Sequence, residues 1–272
     1  MVSPGGVTPS QTSVVPAGGS TERISTTYSP AGQLRLPGTS PPASTFSTAP
    51  LDAEQILEFG ADRVALATGS RWRRSGIGHW HDDPIDGSDR ENVYSVDDVL
   101  AGVVPQGPVL VFDDDHYYMG GVVAEAIVRA GVETILATPS AMVSEWTLRT
   151  DEQSQIQARL IRAGVRIETS TVLVGVGDGR AELACAYTGQ GRVAEVASVV
   201  MVTSRDPEDA LYHPLEKKID IVRVGDCLAP GTIATAVYAG HRYAREMDVA
   251  ADSLGFRREH ALAPQRDSKG VS

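Results

Sequence analysis

The sequence predicts an α/β fold, and three stretches carry that prediction. Pro108–Phe112, Val122–Ala130 and Thr134–Thr138 read as strand, apolar-faced helix and strand, a succession that implies a parallel crossover. Ile219–Met247 repeats the theme as strand, glycine-acid turn and long helix. Thr171–Val176, Ala181–Thr188 and Val193–Thr203 alternate and are separated by Gly-Asp-Gly and Gly-Gln-Gly, so they read as a three-stranded antiparallel meander.

Composition narrows the class. At 272 residues the chain can bury a real core in one large or two small domains. A net charge of −11 argues against nucleic acid or an anionic membrane surface as partner, because both require a basic face. No apolar run reaches the length of a membrane span. The two cysteines, Cys185 and Cys227, lie far apart and form no disulfide framework, redox pair or zinc ribbon. A cytoplasmic location is the default expectation.

Residues 1–50 are almost all Ser, Thr, Pro, Gly and Ala, too poor in apolar side chains to offset the entropy of ordering, and are expected to be disordered. Leu51–Gly60 is a short helix that Asp52 can cap, and Asp62–Thr68 a strand ending in Ala67–Thr68–Gly69. Ser70–Val93 is a polar connector. His79, His81, Asp82 and Asp83 invite a metal reading, but Gly76, Gly78 and Pro84 among them argue for loop packing and no metal site. Ser95–Ala101 is a second capped helix.

The turn after Pro108–Phe112 is Asp113–Asp114–Asp115–His116–Tyr117–Tyr118–Met119–Gly120–Gly121. A dinucleotide site needs G-x-G-x-x-G there, because only glycine lets backbone approach the pyrophosphate. Three carboxylates at contact distance from phosphates cost several kcal/mol in a partly desolvated cleft, more than the roughly 1 kcal/mol a helix N-terminus returns. Thr134–Thr138 runs into Pro139 where a ribose-binding acid would stand. This half is not expected to bind NAD(H).

Asp151–Ala163 is an amphipathic helix and Val165–Glu168 a strand. Beyond the meander, Ser204–Leu215 starts a short helix after Pro207. Ile219, Ile221, Val222 and Val224 read as a strand covered on both faces. Gly225–Asp226 ends it, Pro230–Gly231 breaks the chain, and Thr232 can cap a helix whose Ile233, Ala236, Val237, Gly240 and Ala244 share one face. A carboxylate beside a helix N-terminus suits phosphate on the amides and a sugar or ribitol hydroxyl on the acid.

The stretch VGDCLAPGTIATAVYAGHRYARE (224–246) resembles the C-terminal segment of flavoproteins with two Rossmann-like dinucleotide-binding domains. More narrowly it is similar to the trimethylamine, dimethylamine and histamine dehydrogenase branch of the old yellow enzyme class, related to 2,4-dienoyl-CoA reductase. The resemblance spans about Leu51 to Met247. It implies an incomplete fold of that kind: 51–107 ending an FAD-like domain, 108–205 an NAD(P)-like domain with a degenerate glycine motif, 206–248 a return segment, and 249–272 a tail. It implies a partial FAD or ADP site formed by Thr68, Gly69, Gly225, Asp226, Ala229, Gly231 and Thr232.

Full-length relatives would also carry FMN in a barrel and a [4Fe–4S] cluster, for which this chain has no sites. The expected function is therefore an FAD-dependent NADH:flavin-type oxidoreductase of the amine dehydrogenase family, inactive alone. Two alternatives are a non-catalytic subunit that completes a nucleotide domain with a partner chain bearing the barrel, and an NAD(P)H-dependent flavin reductase.

Overall fold

The computed structural model describes Thr12–Val15 and residues 50–247. In chain order the elements are β1 (Thr12–Val15), α1 (Ala53–Phe59), β2 (Arg63–Leu66), β3 (Ser70–Trp72), β4 (Val93–Ser95), α2 (Val96–Leu100), β5 (Val109–Asp113), α3 (Met119–Arg129) and β6 (Thr134–Ala137). There follow α4 (Gln153–Ala163), β7 (Arg166–Glu168), β8 (Thr171–Gly177), β9 (Arg180–Cys185), β10 (Gly191–Glu195), β11 (Ser198–Val202), β12 (Arg205–Pro207), α5 (Tyr212–Leu215), β13 (Asp220–Arg223) and α6 (Ile233–Glu246). The described residues fall into two compact units, 68–210 on one side and 12–15, 50–67 and 211–247 on the other.

The unit 68–210 is built on a parallel sheet of order β4-β11-β5-β6-β7. All five residues of β5 and of β11 are buried, as continuous apolar runs in a covered parallel sheet should be. Because side chains alternate across a strand, the sheet divides its apolar residues between two layers. Leu110, Phe112, Ile135, Val199 and Met201 pack against Leu173 and Leu183 of the antiparallel meander β8-β9-β10. Val109, Val111, Leu136, Val200 and Val202 pack against Val123, Ile127 and Leu160 of α3 and α4. At about 1.5–3 kcal/mol per buried large side chain, these two layers dominate the unit's stability.

In the other unit β2 lies between β1 and β13, antiparallel to the first and parallel to the second. Its core is Ile56, Val64, Leu66, Leu215, Ile221 and Cys227. Asp52 caps α1 in a reciprocal capping box with Gln55, and Gly60 closes it in the left-handed region. Arg63 on β2 pairs at 2.7 Å with Asp220, its partner across the ladder on β13.

Several expectations are corrected. Val193–Thr203 is two strands: β10 closes the meander, whereas β11 crosses into the parallel sheet between β4 and β5. The segment after Thr203 opens with β12, antiparallel to β3, and the helix waits until Tyr212. β4 lies in the connector before residue 107 yet pairs with β11, so the sheet extends across the expected boundary at 107/108. Helix α3 starts at Met119, three residues early, because Gly120 and Gly121 are helical here. In β13 only Ile221 is buried, and α6 buries no residue at all.

Thr12–Val15 lies within the stretch expected to lack order; it is rich in β-branched side chains and pairs with β2. The rest of residues 1–49, and the expected tail from 249, lie outside the described residues. Among the described residues no helix is long and apolar enough to cross a membrane.

Candidate nucleotide site

The glycine-acid turn is assembled by local hydrogen bonds. Val224, still extended, donates its N–H to Leu66 O at 2.8 Å, which continues the β2–β13 ladder to the turn. Gly225 then takes φ 67°, the left-handed conformation that glycine adopts without steric cost. Its carbonyl accepts from Leu228 N at 2.9 Å and Ala229 N at 3.1 Å, winding Gly225–Cys227 into a 3-10 turn over the buried Cys227 side chain. Asp226 Oδ1 accepts the Gly231 N–H at 3.1 Å, so the carboxylate is fixed against the loop that leads into α6.

Thr232 caps α6 by accepting from Thr235 N at 3.4 Å, and Thr235 Oγ1 donates back to Thr232 O at 2.7 Å. The predicted residues Gly225, Asp226, Ala229, Gly231 and Thr232 are thus brought together as one loop at the positive end of a 14-residue helix. Between β13 and α6 runs a groove of about 250 Å³ lined by Val222, Val224, Leu228, Tyr238 and Tyr243 among others.

Thr68 and Gly69 belong to the unit 68–210, not to the unit that holds Gly225. There Thr68 Oγ1 donates to Glu208 O, Glu208 N donates to Gly69 O at 2.9 Å, and Gly69 has φ 84°. These bonds start the β3–β12 ladder, so the two residues form a clasped strand exit.

The acidic turn after β5 is more deeply buried than its sequence suggests. Asp113 and Asp114 are wholly buried and His116 nearly so. Asp113 Oδ1 accepts from His116 N at 3.2 Å, Asp114 Oδ2 accepts from Trp80 N at 2.8 Å, and His116 Nε2 stands 3.3 Å from Asp114 Oδ1. That last contact is an ion pair without good hydrogen-bond alignment, which is why Oδ1 of Asp114 has no satisfied partner.

His116 Nδ1 faces Thr138 Oγ1 at 3.4 Å and Ser140 Oγ at 3.3 Å, linking the ends of β5 and β6. Its ring stacks on His79, with Trp146 tilted against both. Burial pushes the Asp113 carboxyl up to about 7, with His116 opposing and Asp115 adding to the rise. Asp115 is also raised by burial, against the pull of Arg205 and His79. Burial works against the charged His116 imidazole, but Asp114 and Asp113 outweigh it and hold the ring above its ordinary value.

The sequence reading missed this role of His116 and its link to His79; a histidine inside an acidic run was the available signal. Among the described residues no group of three or more His, Cys, Asp or Glu could hold a metal ion.

Parallel strand–helix–strand layers, an antiparallel meander and a glycine-acid turn before a capped helix define an incomplete Rossmann-like fold of the class found in flavoproteins with two dinucleotide-binding domains. No protein-family model matches the chain. It is 31% identical over 233 residues to dimethylamine dehydrogenase of Hyphomicrobium sp. (strain x), covering 74% of this chain and 31% of that protein.

Histamine dehydrogenase from Rhizobium sp. 4-9 superposes with a TM-score of 0.73 at 42% identity, over 80% of this chain and 36% of that one. 6-Hydroxypseudooxynicotine amine oxidase from Pseudomonas geniculata N1 gives 0.72 at 36% identity, over 74% and 31%. The matched region is homologous to dimethylamine and histamine dehydrogenases, of the trimethylamine dehydrogenase branch of the old yellow enzyme class. The chain spans about a third of the length of these relatives.

Proposed function

We propose that this chain is the nucleotide-binding portion of a flavin-dependent oxidoreductase acting on amines, and that its loop Gly225–Thr232 holds the FAD, or an ADP moiety in its place. The observation that carries this reading is the conjunction of a left-handed Gly225, a loop-anchored Asp226 and the capped start of α6 within one short segment. The residues fit such a group. Gly225 has no side chain in the way, Asp226 sets an acceptor side chain against the loop, and the helix start presents amides to a phosphate. When bound, the flavin would supply the electron-accepting chemistry, while this chain's residues bind and orient it.

The test is a titration of the purified chain with FAD and with ADP, alongside Asp226→Ala. Saturable binding that weakens at least tenfold in the variant supports the reading; equal binding, or none to wild type, overturns it. The amine class of substrate is that of the relatives, dimethylamine and histamine dehydrogenases and an amine oxidase. A reducing cytoplasmic setting accords with Cys185 and Cys227 both being free thiols.

A second reading is favoured by α6. Ile233 is 85% exposed, Val237 62% and Tyr238 60%, an apolar face with no covering layer among the described residues. We infer that a further polypeptide region, carrying the remainder of what the relatives contain, packs there and completes the nucleotide domain. Co-purification or cross-linking through α6 tests it.

A further inference from the structure

His116 is buried at the carboxyl end of the parallel sheet, in a different unit from the Gly225–Thr232 loop, and its surroundings decide where its protons sit. Ser140 has a single hydroxyl hydrogen and gives it to Glu145 Oε2 at 2.6 Å. Toward His116 Nδ1, 3.3 Å away, Ser140 Oγ can therefore only accept, so Nδ1 must carry a hydrogen. On the far side of the ring Nε2 stands 3.3 Å from Asp114 Oδ1, an acceptor that has no hydrogen bond. A bare nitrogen there would set one lone pair against another. Both ring nitrogens carry hydrogen only in the imidazolium form.

The neutral ring cannot satisfy both sides. With its one hydrogen kept on Nε2 for Asp114, Nδ1 becomes an acceptor. The Thr138 hydroxyl, 3.4 Å away and accepting from Ser140 N, still has a hydrogen to offer it, whereas Ser140 Oγ has none. Loss of the proton therefore falls on Ser140 and, through it, on Glu145. Trp146 is tied to the same histidine: its N–H donates to His116 O at 3.0 Å, and its ring lies tilted to the imidazole with centroids 6.1 Å apart. That indole is 43% exposed, so it has room to move outward.

We propose that His116 is a pH-operated latch: as the imidazolium it ties Ser140, Glu145 and Trp146 to the end of β5, and on losing one proton to solvent it lets that rim go. The groups facing the ring are Asp113, Asp114 and Asp115 at the end of β5, Glu145 on the latched segment and His79 of the connector, with Arg205 of β12 pulling on Asp115. Burial works against the imidazolium, but Asp114, Asp113 and Glu145 outweigh it, which places release above the ordinary histidine range. The latch lies in the unit 68–210 and operates whether or not the Gly225–Thr232 loop binds FAD.

Two measurements on the full chain test it. The chain is labelled with 5-fluorotryptophan and followed by fluorine NMR from about pH 5 to about pH 9, the Trp146 signal being assigned with Trp146→Phe. That signal should move along one sigmoid with its midpoint above the ordinary histidine value. The transition should be kept in Asp113→Asn and in His79→Phe, which remove neighbouring titratable side chains. It should be lost when His116→Asn is added to His79→Phe, asparagine being a residue that tolerates the left-handed backbone at 116. Independently, the imidazole nitrogen shifts of the wild type should show both nitrogens of His116 protonated below the midpoint and Nε2 alone above it. A Trp146 signal flat across the range in wild type, a transition lost in Asp113→Asn or in His79→Phe, one surviving in the folded double variant, or a bare Nδ1 below the midpoint would each overturn the proposal.

Discussion

His116 Nε2 stands 3.3 Å from Asp114 Oδ1, and the histidine reaches that position only because its own backbone takes φ 58°. A non-glycine residue in the left-handed region is strained by about 1 kcal/mol or more. The strain is held by what the turn gains: the His116 N–H bond to Asp113, the Trp146 N–H bond to His116 O at 3.0 Å, and the imidazole contacts to β6. The acidic run is therefore a tied polar knot, not a repelling surface patch.

The knot predicts a pH dependence. Asp113 is held at about 7 in the fold and near 4 in the open chain, so between those values the native state keeps a proton the unfolded state has lost. Stability contributed by this group is full at acid pH, falls as pH climbs from about 4 to about 7, and is level above. The fall is up to roughly 4 kcal/mol. Asp113→Asn should flatten that part of the profile and be more stable than wild type at pH 8, read by urea denaturation across pH.

Gly87 predicts a large local penalty. It has φ 75°, and a Cβ there would run into the carbonyl of Val176, whose own N–H donates to Asp86 O at 2.8 Å. Gly87→Ala should cost about 2–4 kcal/mol, well above an average substitution, and lower the denaturation midpoint of the meander-bearing unit.

Gly225 predicts a smaller one. A Cβ would meet Ala236 at ordinary van der Waals distances, the nearest atom being its Cβ at 3.5 Å, so Gly225→Ala pays for the left-handed backbone alone, about 1 kcal/mol. Its melting temperature should drop less than that of Gly87→Ala, while its FAD or ADP titration should weaken if the loop is the binding wall.

The exposed face of α6 predicts silence in one assay and an effect in another. Ile233→Ser and Val237→Ser remove side chains 85% and 62% exposed, so the stability of the chain itself should stay within about 0.5 kcal/mol. If a further polypeptide region covers α6, the same variants should reduce its capture. A large loss of stability in the isolated chain would mean the helix is already packed.

Local chemistry made much of this legible. Asp52 and Ser95 as caps, Gly225–Asp226 as a turn and Val109–Phe112 as a buried strand all follow from side-chain hydrogen bonding and pattern. The division of Val193–Thr203 was harder, because the run is apolar throughout its second half and no glycine or proline marks the break. What separates the strands is burial: only Ala194 is buried in β10, whereas every residue of β11 is. The pairing of β12 with β3 was illegible, since three-residue strands carry no period. For α6 the pattern of apolar spacing was present but its cover was not among the described residues, so amphipathicity foretold a buried face that the described residues leave exposed.

The place of β11 also constrains how the protein is made. It is the last of its sheet's five strands in the sequence, and it is the one that joins β4 to β5. During synthesis β4 waits without a neighbour until the meander has emerged and β11 follows it out, so the sheet closes late through a long-range pairing. Any nascent chain halted before Ser198 exposes the apolar edge of β5, which makes that interval the one in which a chaperone would be needed most.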